Sequence, residues 1–159
     1  AAIYLEAALE VKQDDFNLRS QLIVVYGEYI GDKEKAIYHC NKILAKDPNN
    51  VSAKFNLAVY TNHLKGSEYS LPIYRETEDL MKKQKLMGSE LEGKLNIFIG
   101  HDIRSHESKE KAKERYVKAI AILKPLAEKG DKASEFWLRD AEKNLQEVNA
   151  EIKKQEEAS

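Results

Sequence analysis

Residues 31–50 read GDKEKAIYHCNKILAKDPNN, and this stretch decides the fold of the chain. Gly31 and Asp32 favour a turn, and Pro48 cannot continue a helix that precedes it. Between them, small or apolar residues recur at steps of four and three, on one face of a helix: Ala36, Cys40 and Ile43. The stretch therefore predicts a tight turn at residues 31–32, a helix over residues 33–46 and the end of that helix at residues 47–50.

The same helical periodicity continues over the rest of the chain. No segment shows sustained alternation of apolar and polar residues, so we expect no strands. The pattern and its breaks predict eight helices, over residues 1–12, 17–30, 33–46, 52–64, 70–87, 90–104, 108–124 and 131–156. The predicted fold class is all-α.

Small or apolar positions also recur at fixed distances along the chain. Val24 and Ala58 are 34 residues apart, and so are Ala36 and Ser70. The next offset is 42 residues, from Ala58 to Gly100, and the second helices share it. Because both helices of each pair keep the same offset, the repeated unit is a helical hairpin.

A helical hairpin that repeats after 34 residues resembles the tetratricopeptide repeat. Residues 31–37 resemble the family's turn into its second helix, and residues 43–50 resemble its closing segment. The second-helix pattern is repeated by Ala112, Tyr116 and Ala119, followed by Pro125. Trp137 and Ala141 stand at the tryptophan and small-residue places of a further first helix. Cys40 departs from the pattern, because the family has an aromatic residue there.

The resemblance implies a right-handed α-solenoid of stacked helical hairpins with a long C-terminal capping helix. We expect one domain over residues 1–159, with these parts: 1–16, second helix of a partial repeat; 17–50, repeat; 51–92, repeat with an extended second helix; 93–126, repeat; 127–159, capping helix. About eight extra residues are expected within 79–93. The partial first repeat suggests a cut from a longer array, or a position after another domain.

Composition excludes several classes of function. The chain has 26 Lys and Arg against 27 Asp and Glu, so its formal net charge is -1. A dedicated binder of nucleic acid or of anionic membranes usually carries a clear basic excess. No apolar run approaches the roughly 18 residues of a membrane span. We therefore expect a protein or peptide partner, with no nucleic acid and no membrane insertion.

Metal binding and catalysis find little support in the sequence. His101 and His106 are five residues apart, not the four that align two ligands on one helix face. We expect the histidines on the surface or in a groove, and Cys40 as a small core residue. No nucleophile elbow, phosphate loop or nucleotide fingerprint is present. The prediction is a protein that is not an enzyme, with no metal and no cofactor.

In tetratricopeptide proteins the first helices of successive repeats line a concave surface that binds peptides. By register, the resemblance places twelve partner-binding residues there: Gln21, Val25, Glu28 and Tyr29; Phe55, Asn56, Val59, Asn62 and His63; Ile97, His101 and Arg104. An apolar strip with a polar rim suits peptide binding. The alternative is that some of these residues close the stack instead.

Some members of the family clamp the C-terminal carboxylate of a chaperone tail with Lys, Asn and Arg. Asn56 and Arg104 could serve in such a clamp. Gln21, Val25 and Phe98 stand where the other basic or amide groups are needed, so we do not expect that ligand. The leading hypothesis is a non-catalytic scaffold or adaptor, and the alternative is a homo-oligomer formed through the open N-terminal flank. The basic residues Lys82, Lys83 and Lys85 fit either a solvated surface or a contact with an acidic partner.

Overall fold

The computed structural model describes all residues from 1 to 159, and they form eight α-helices and no strand. The helices are α1 (Ala2–Val11), α2 (Phe16–Val24), α3 (Lys33–Lys46), α4 (Val51–Lys65), α5 (Ser67–Lys83), α6 (Glu90–His106), α7 (Lys109–Glu128) and α8 (Lys132–Glu157). A π-helical turn, Val25–Ile30, extends α2. None of the helices combines the length and the apolar character that crossing a membrane requires.

Short polar side chains begin most of these helices. Each accepts a hydrogen bond from a backbone N–H of the first turn, which has no partner within the helix. The capping residues are Asp15 for α2, Asp32 for α3, Asn50 for α4, Ser89 for α6 and Ser108 for α7. The turn between α2 and α3 depends on Gly31, whose φ of 84° is a left-handed conformation that favours glycine. The turn predicted from residues 31–50 is thus confirmed.

Two helix bounds differ from the sequence-based prediction because of proline. α7 continues through Pro125 to Glu128, and α5 begins at Ser67, so Pro72 lies inside it. A proline removes one hydrogen bond to the carbonyl four residues earlier. Those residues, Glu68 and Ala121, are exposed, so water can replace the lost donor.

The end of α5 also differs from the prediction. The helix stops at Lys83 rather than near residue 87. Lys85 and Gly88 have φ angles of 57° and 81°, which no right-handed helix accommodates. The segment 84–89 is therefore a loop, which we call the α5–α6 loop.

The chain divides into two compact units, and the first is Ala1–Ile73. In this unit α3 packs against α2 and α4, and α1 packs against α2. Its buried core includes Leu9, Leu22, Ile23, Tyr26, Ala36, Cys40, Ile43, Ala53 and Tyr60. Gly27 lies against the Tyr60 ring so closely that a side chain at position 27 would overlap it. Such close approach explains why this position carries no side chain.

The second unit is Tyr74–Ser159. Here α6 packs against α7 and α8, and α7 also packs against α8. The α6–α7 contact relies on two glycines of α6: Gly93 meets Leu123, and Gly100 meets Tyr116. Ala141, which the resemblance places at a small-residue position of the last helix, is fully buried, and so is Val148 two turns later.

Buried charges in the second unit are paired. Arg115 donates to Glu78 Oε1 at 2.6 Å and to Asn96 Oδ1 at 3.0 Å, and Lys118 lies 3.3 Å from Glu92. Burial opposes ionisation of Glu78, but Arg115 and two lysines outweigh it and lower the pKa of this carboxyl. This network fixes the end of α5 that leads into the α5–α6 loop.

Candidate functional site

An apolar pocket of about 620 Å³ opens between α1 and α2 in the first unit. Seven residues line it: Ala1, Tyr4 and Leu5 from the α1 side, and Ser20, Gln21, Val24 and Val25 from the α2 side. A concave, largely apolar surface with a few polar groups is the usual form of a binding site. We call it the N-terminal pocket.

Large apolar side chains of α1, α2 and the π-helical turn are exposed to solvent, and two of them, Tyr4 and Val24, line the N-terminal pocket. Tyr4 is 82% exposed and Tyr29 is 81% exposed. Ile3, Val24 and Ile30 are exposed as well. Adjacent exposed apolar residues of this size mark an interaction surface more often than isolated ones do.

The π-helical turn shapes one wall of the pocket. Val25 begins this turn, and Gly27 in its middle allows the Tyr60 ring of α4 to approach the backbone. The Tyr60 hydroxyl donates to Glu28 Oε1 at 3.0 Å, and Lys33 Nζ donates to the Gly27 carbonyl. These contacts fix the direction in which Val25 and Glu28 project.

The other wall is α1, which is held by a cluster of polar contacts around Glu6, a partly exposed residue that meets the buried side chains of Tyr26 and His39. The Tyr26 hydroxyl donates to Glu6 Oε1 at 3.0 Å, and His39 Nε2 lies 3.3 Å from the same oxygen. On the far side of the ring, Arg19 Nη1 lies 3.4 Å from His39 Nδ1. Arg19 also donates to the Gln13 carbonyl, in the connection between α1 and α2.

The protonation state of His39 follows from these neighbours. A guanidinium can only donate and a carboxylate can only accept, so a neutral ring with its proton on Nε2 satisfies both. The ring is 2% exposed and stacks on Tyr26 with centroids 5.8 Å apart. Burial lowers the pKa of His39, although Glu6 opposes this effect. The prediction that His39 lies on the surface or in a groove was wrong, because α1 covers it.

The structure places most of the predicted site residues of the first unit on accessible surface. Gln21 and Val25 line the N-terminal pocket, and Glu28 and Tyr29 follow on the next turn. His63 is exposed, and Asn56, Val59 and Asn62 are partly buried. Asn62 donates to the hydroxyls of Ser67 and Ser70, so its amide also has a structural role.

Phe55 and Ile97 correct the prediction, because both side chains are buried. Phe55 is 3% exposed and Ile97 is fully buried. A step of one residue on a helix rotates a side chain by about 100°, so small errors of register move a residue from surface to core. These two residues have almost no surface to offer a partner.

His101 and Arg104 contact α8 within the second unit. Arg104 Nη1 lies 3.3 Å from Glu147, and its guanidinium also pairs with Glu151. Hydrogen bonding to Glu151 raises the pKa of Arg104, and the same contact lowers the pKa of Glu151. Burial lowers the pKa of His101, which packs against the rings of Phe98 and Tyr116. This part of the predicted groove rim is occupied by the chain's own last helix.

Five pocket residues were not predicted from the sequence: Ala1, Tyr4, Leu5, Ser20 and Val24. The interpretation of α1 as a second helix removed it from the predicted groove. Its composition carried the missing signal, since eight of the ten residues in AIYLEAALEV are apolar while only Leu9 is buried.

Metal-ligating side chains are not grouped in this structure, and its one cysteine is buried. No group of three or more His, Cys, Asp or Glu side chains is placed to hold a metal ion. Cys40 is fully buried, as predicted, and burial raises the pKa of its thiol to about 12. A thiol with so high a pKa is a poor nucleophile at neutral pH.

Crystal structures of MamA have a similar fold. One matches with a TM-score of 0.64 at 16% identity, over 99% of this chain and 84% of that chain. MamA AMB-1 gives 0.60 at 19% identity, over 76% of this chain and 66% of that one. MamA MSR-1 gives 0.58 at 19% identity, over 76% and 64%. The match thus spans just under two thirds of the length of the MamA AMB-1 and MamA MSR-1 chains.

No protein-family model matches the chain, and no curated protein sequence matches it. At 16–19% identity, the likeness to MamA concerns the fold alone. The sequence-based fold class is confirmed: the chain is an all-α, helical-repeat solenoid that ends in a long helix.

Proposed function

We propose that this chain is a non-catalytic protein-interaction module, a scaffold or adaptor, that binds a peptide or a partner protein. The N-terminal pocket is the observation that carries the proposal, because it combines an apolar concavity of about 620 Å³ with exposed aromatic rings. Buried apolar anchors with a polar rim supply most of the affinity in protein interfaces, and tyrosine is enriched among them.

The proposed surface extends from the pocket along the first unit. Val24, Val25 and Tyr4 form the apolar centre, and Gln21 and Glu28 lie at its rim. Tyr29, Asn56, Val59 and His63 remain part of the proposal as residues with accessible surface. We also propose the repeat boundaries 17–50, 51–92 and 93–126. They are supported by the sequence offsets that both helices of each hairpin share.

Affinity capture of binding partners by the purified chain, from a lysate of the source cells, tests the proposal. Val24→Lys places a charge in the apolar centre, at a residue that is 42% exposed, so the core is spared. Val117→Lys is the matched control, on an exposed face of α7. We expect Val24→Lys to retain each specific partner at least about tenfold less than the wild type, and Val117→Lys to retain it equally. Circular dichroism checks that both variants fold.

Equal capture by the wild type and Val24→Lys would contradict the proposal, because the pocket would then have no role in binding. A captured protein supports it only when a segment of that protein binds the purified wild type and binds Val24→Lys more weakly. Fluorescence anisotropy with the labelled segment measures this difference directly.

A second candidate function is self-association through the N-terminal flank. The observation that favours it is the outer face of α1, where Ile3, Tyr4 and Val11 are each more than four-fifths exposed. Light scattering should then show a mass that rises with concentration. A constant monomer mass up to about 100 µM would exclude an association of that strength.

A further inference from the structure

Two residues of α1 are accessible to solvent although their counterparts in the hairpins α2–α3 and α6–α7 are buried. Leu5 and Ala8 each lie 35 residues before a residue of α3 and 111 residues before a residue of α7. These counterparts are Cys40 and Tyr116 for Leu5, and Ile43 and Ala119 for Ala8. All four are at most 1% exposed, whereas Leu5 is only partly buried and Ala8 is exposed. This face of α1 therefore lacks the cover that the same face of α3 and α7 has.

Val24 of α2 shows the same difference. Its counterparts at the repeat offsets are Ala58, Gly100 and Ala141. All three are buried, but Val24 is 42% exposed and lines the N-terminal pocket together with Leu5. Each wall of the pocket thus includes a position that is buried elsewhere in the chain.

In the hairpin α6–α7, the first helix supplies the cover. Gly100 of α6 lies against Tyr116 of α7, and Gly93 lies against Leu123. Contacts that run forward along one helix and backward along the other make the two helices antiparallel. The close approach is possible because α6 has no side chain at either contact.

Successive first helices also contact each other. Gly27 at the end of α2 lies against the ring of Tyr60 in α4, and the Tyr60 hydroxyl donates to Glu28. A first helix therefore packs on the second helix of its own hairpin and on the first helix of the next. For α1 as a second helix, that place lies between α1 and α2, where the N-terminal pocket opens.

The lining of the pocket favours a helix over an extended peptide as its occupant. None of the seven lining residues carries a charged side chain. The hydroxyl of Ser20 already donates to the Phe16 carbonyl at 2.7 Å. An extended segment would bring unpaired backbone N–H and C=O groups against this apolar surface, whereas a helix pairs these groups internally. An amphipathic helix also keeps its charged face in water.

We propose that the N-terminal pocket binds an amphipathic α-helix of a partner protein, which lies antiparallel to α1 in the place of a first helix. The face of this helix toward the pocket is uncharged and carries glycine or alanine opposite Leu5, as Gly100 lies opposite Tyr116. The inference rests on the proposed function and on the proposed repeat boundaries, and it deepens the former because it states the chemistry of the partner.

A chain that carries its own first helix for α1 tests the fit. The extension is a copy of residues 16–35 placed directly before Ala1, so that Ala1 follows the copied turn as Ala36 follows the original one. Within the copy, Val24→Ala provides the small residue, because Leu5 is larger than Cys40. We call this protein the extended chain.

Methyl nuclear magnetic resonance and amide hydrogen exchange report whether the extension docks. In the extended chain, the methyl signals of Leu5 and of the original Val24 should shift. The amides of α1 should exchange at least about tenfold more slowly than in the wild type, because α1 is then packed on both sides. Unchanged signals and unchanged exchange would overturn the inference.

Ala7 and Ala8 provide a matched pair of substitutions. Both are exposed alanines, but the counterparts of Ala7 are Lys42 and Lys118, which are exposed as well. In the extended chain, Ala8→Lys should abolish the shifts and the slower exchange, whereas Ala7→Lys should leave both in place. Equal effects of the two substitutions would show that the extension does not lie on the face of Leu5 and Ala8.

Affinity capture then connects the helix to the partner. Ala8→Lys in the wild-type chain should retain each partner at least about tenfold less, and so should the extended chain, whose pocket is filled. Ala7→Lys should capture like the wild type, and circular dichroism checks that each variant folds. A chain whose mass rises with concentration, and loses this rise through Ala8→Lys, would contradict a partner protein as the occupant, because a second copy would then fill the pocket.

The outcomes separate the inference from the proposed function. If the extension does not dock, or if Ala8→Lys and Ala7→Lys capture equally, the inference is wrong, and Val24→Lys still decides the proposed function. If the extension docks and capture persists, or if Val24→Lys captures like the wild type, the pocket does not bind the partner, and both are wrong.

Discussion

At position 100 the chain has no side chain, and the ring of Tyr116 occupies the space. A Cβ built there would lie 2.7 Å from Tyr116 Cε1. Alanine in a helix interior is normally favoured over glycine by about 1 kcal/mol. Here the overlap reverses the sign, so we expect Gly100→Ala to lower the free energy of unfolding by about 1–2 kcal/mol. Chemical denaturation measures this change.

The double variant Gly100→Ala with Tyr116→Leu is the control for this prediction. The smaller side chain frees the space that the new methyl group needs, so the two substitutions together should cost less than the sum of their separate costs. Additive costs would show that the contact with Tyr116 does not limit position 100.

His39 makes the first unit sensitive to pH. Its folded pKa is lowered from 6.5, so the unfolded chain binds the proton more readily and stability falls as the pH drops below 6.5. The charged groups that face the ring are Glu6, Arg19 and Lys35, and the phenol of Tyr26 stacks on it. The loss is at most about 1.4 kcal/mol per pH unit for one such group.

The His39→Gln variant isolates this contribution. The wild type should lose more unfolding free energy than His39→Gln between about pH 7.5 and pH 5.5, with urea denaturation as the measurement. His101 titrates in both proteins, so its contribution cancels in the comparison. Equal losses would mean that His39 does not couple protonation to folding.

Neighbouring residues 39 and 40 also show what local sequence can and cannot predict. Cys40 shares a helix face with Ala36 and Ile43, and this periodicity correctly places it in the core. His39 lies about 100° away on a face that looks polar by sequence. It is buried because Glu6 of α1 approaches from another element, and no local pattern encodes that contact.

Among the helices, the C-terminal half of α8 is held by contacts with one arginine of α6. Arg104 of α6 reaches Asn144, Glu147 and Glu151. Arg104→Met keeps an unbranched apolar stem but removes every hydrogen-bond donor and the charge. We therefore expect amide hydrogen exchange within residues 144–152 to speed up, while the region around the buried Ala141 keeps its protection.

Lys153→Met provides the comparison for this prediction. Lys153 pairs with Glu157 one turn away, and both side chains are mostly exposed. An exposed pair of this kind contributes little to stability, so its loss should leave exchange unchanged. Unchanged exchange in Arg104→Met would show that apolar contacts alone hold α8.

Helix existence and order were predictable, because apolar periodicity and capping residues act locally. The π-helical turn Val25–Ile30 was not, since it accompanies the contact of Gly27 with the Tyr60 ring of another helix. The proline positions were also misjudged. Their cost depends on whether the carbonyl that loses a donor is exposed, and sequence does not state this.

For the whole molecule, shared repeat offsets were enough to predict the fold class. They were not enough to define a site. Register assigns a residue to a helix face, but accessibility depends on what packs on that face. Arg104 and His101 lie on a face that α8 contacts, whereas Gln21 and Val25 lie beside an α1 whose outer surface stays exposed.

The central claim is that a protein segment binds in the N-terminal pocket. Methyl nuclear magnetic resonance of the whole chain tests it most directly, during titration with a segment of a captured partner or with a second copy. The account predicts that the largest shifts fall on Leu5, Val24 and Val25, which line the pocket, and that Val117 stays unchanged. Binding with unchanged Leu5, Val24 and Val25 signals and shifts elsewhere would contradict it.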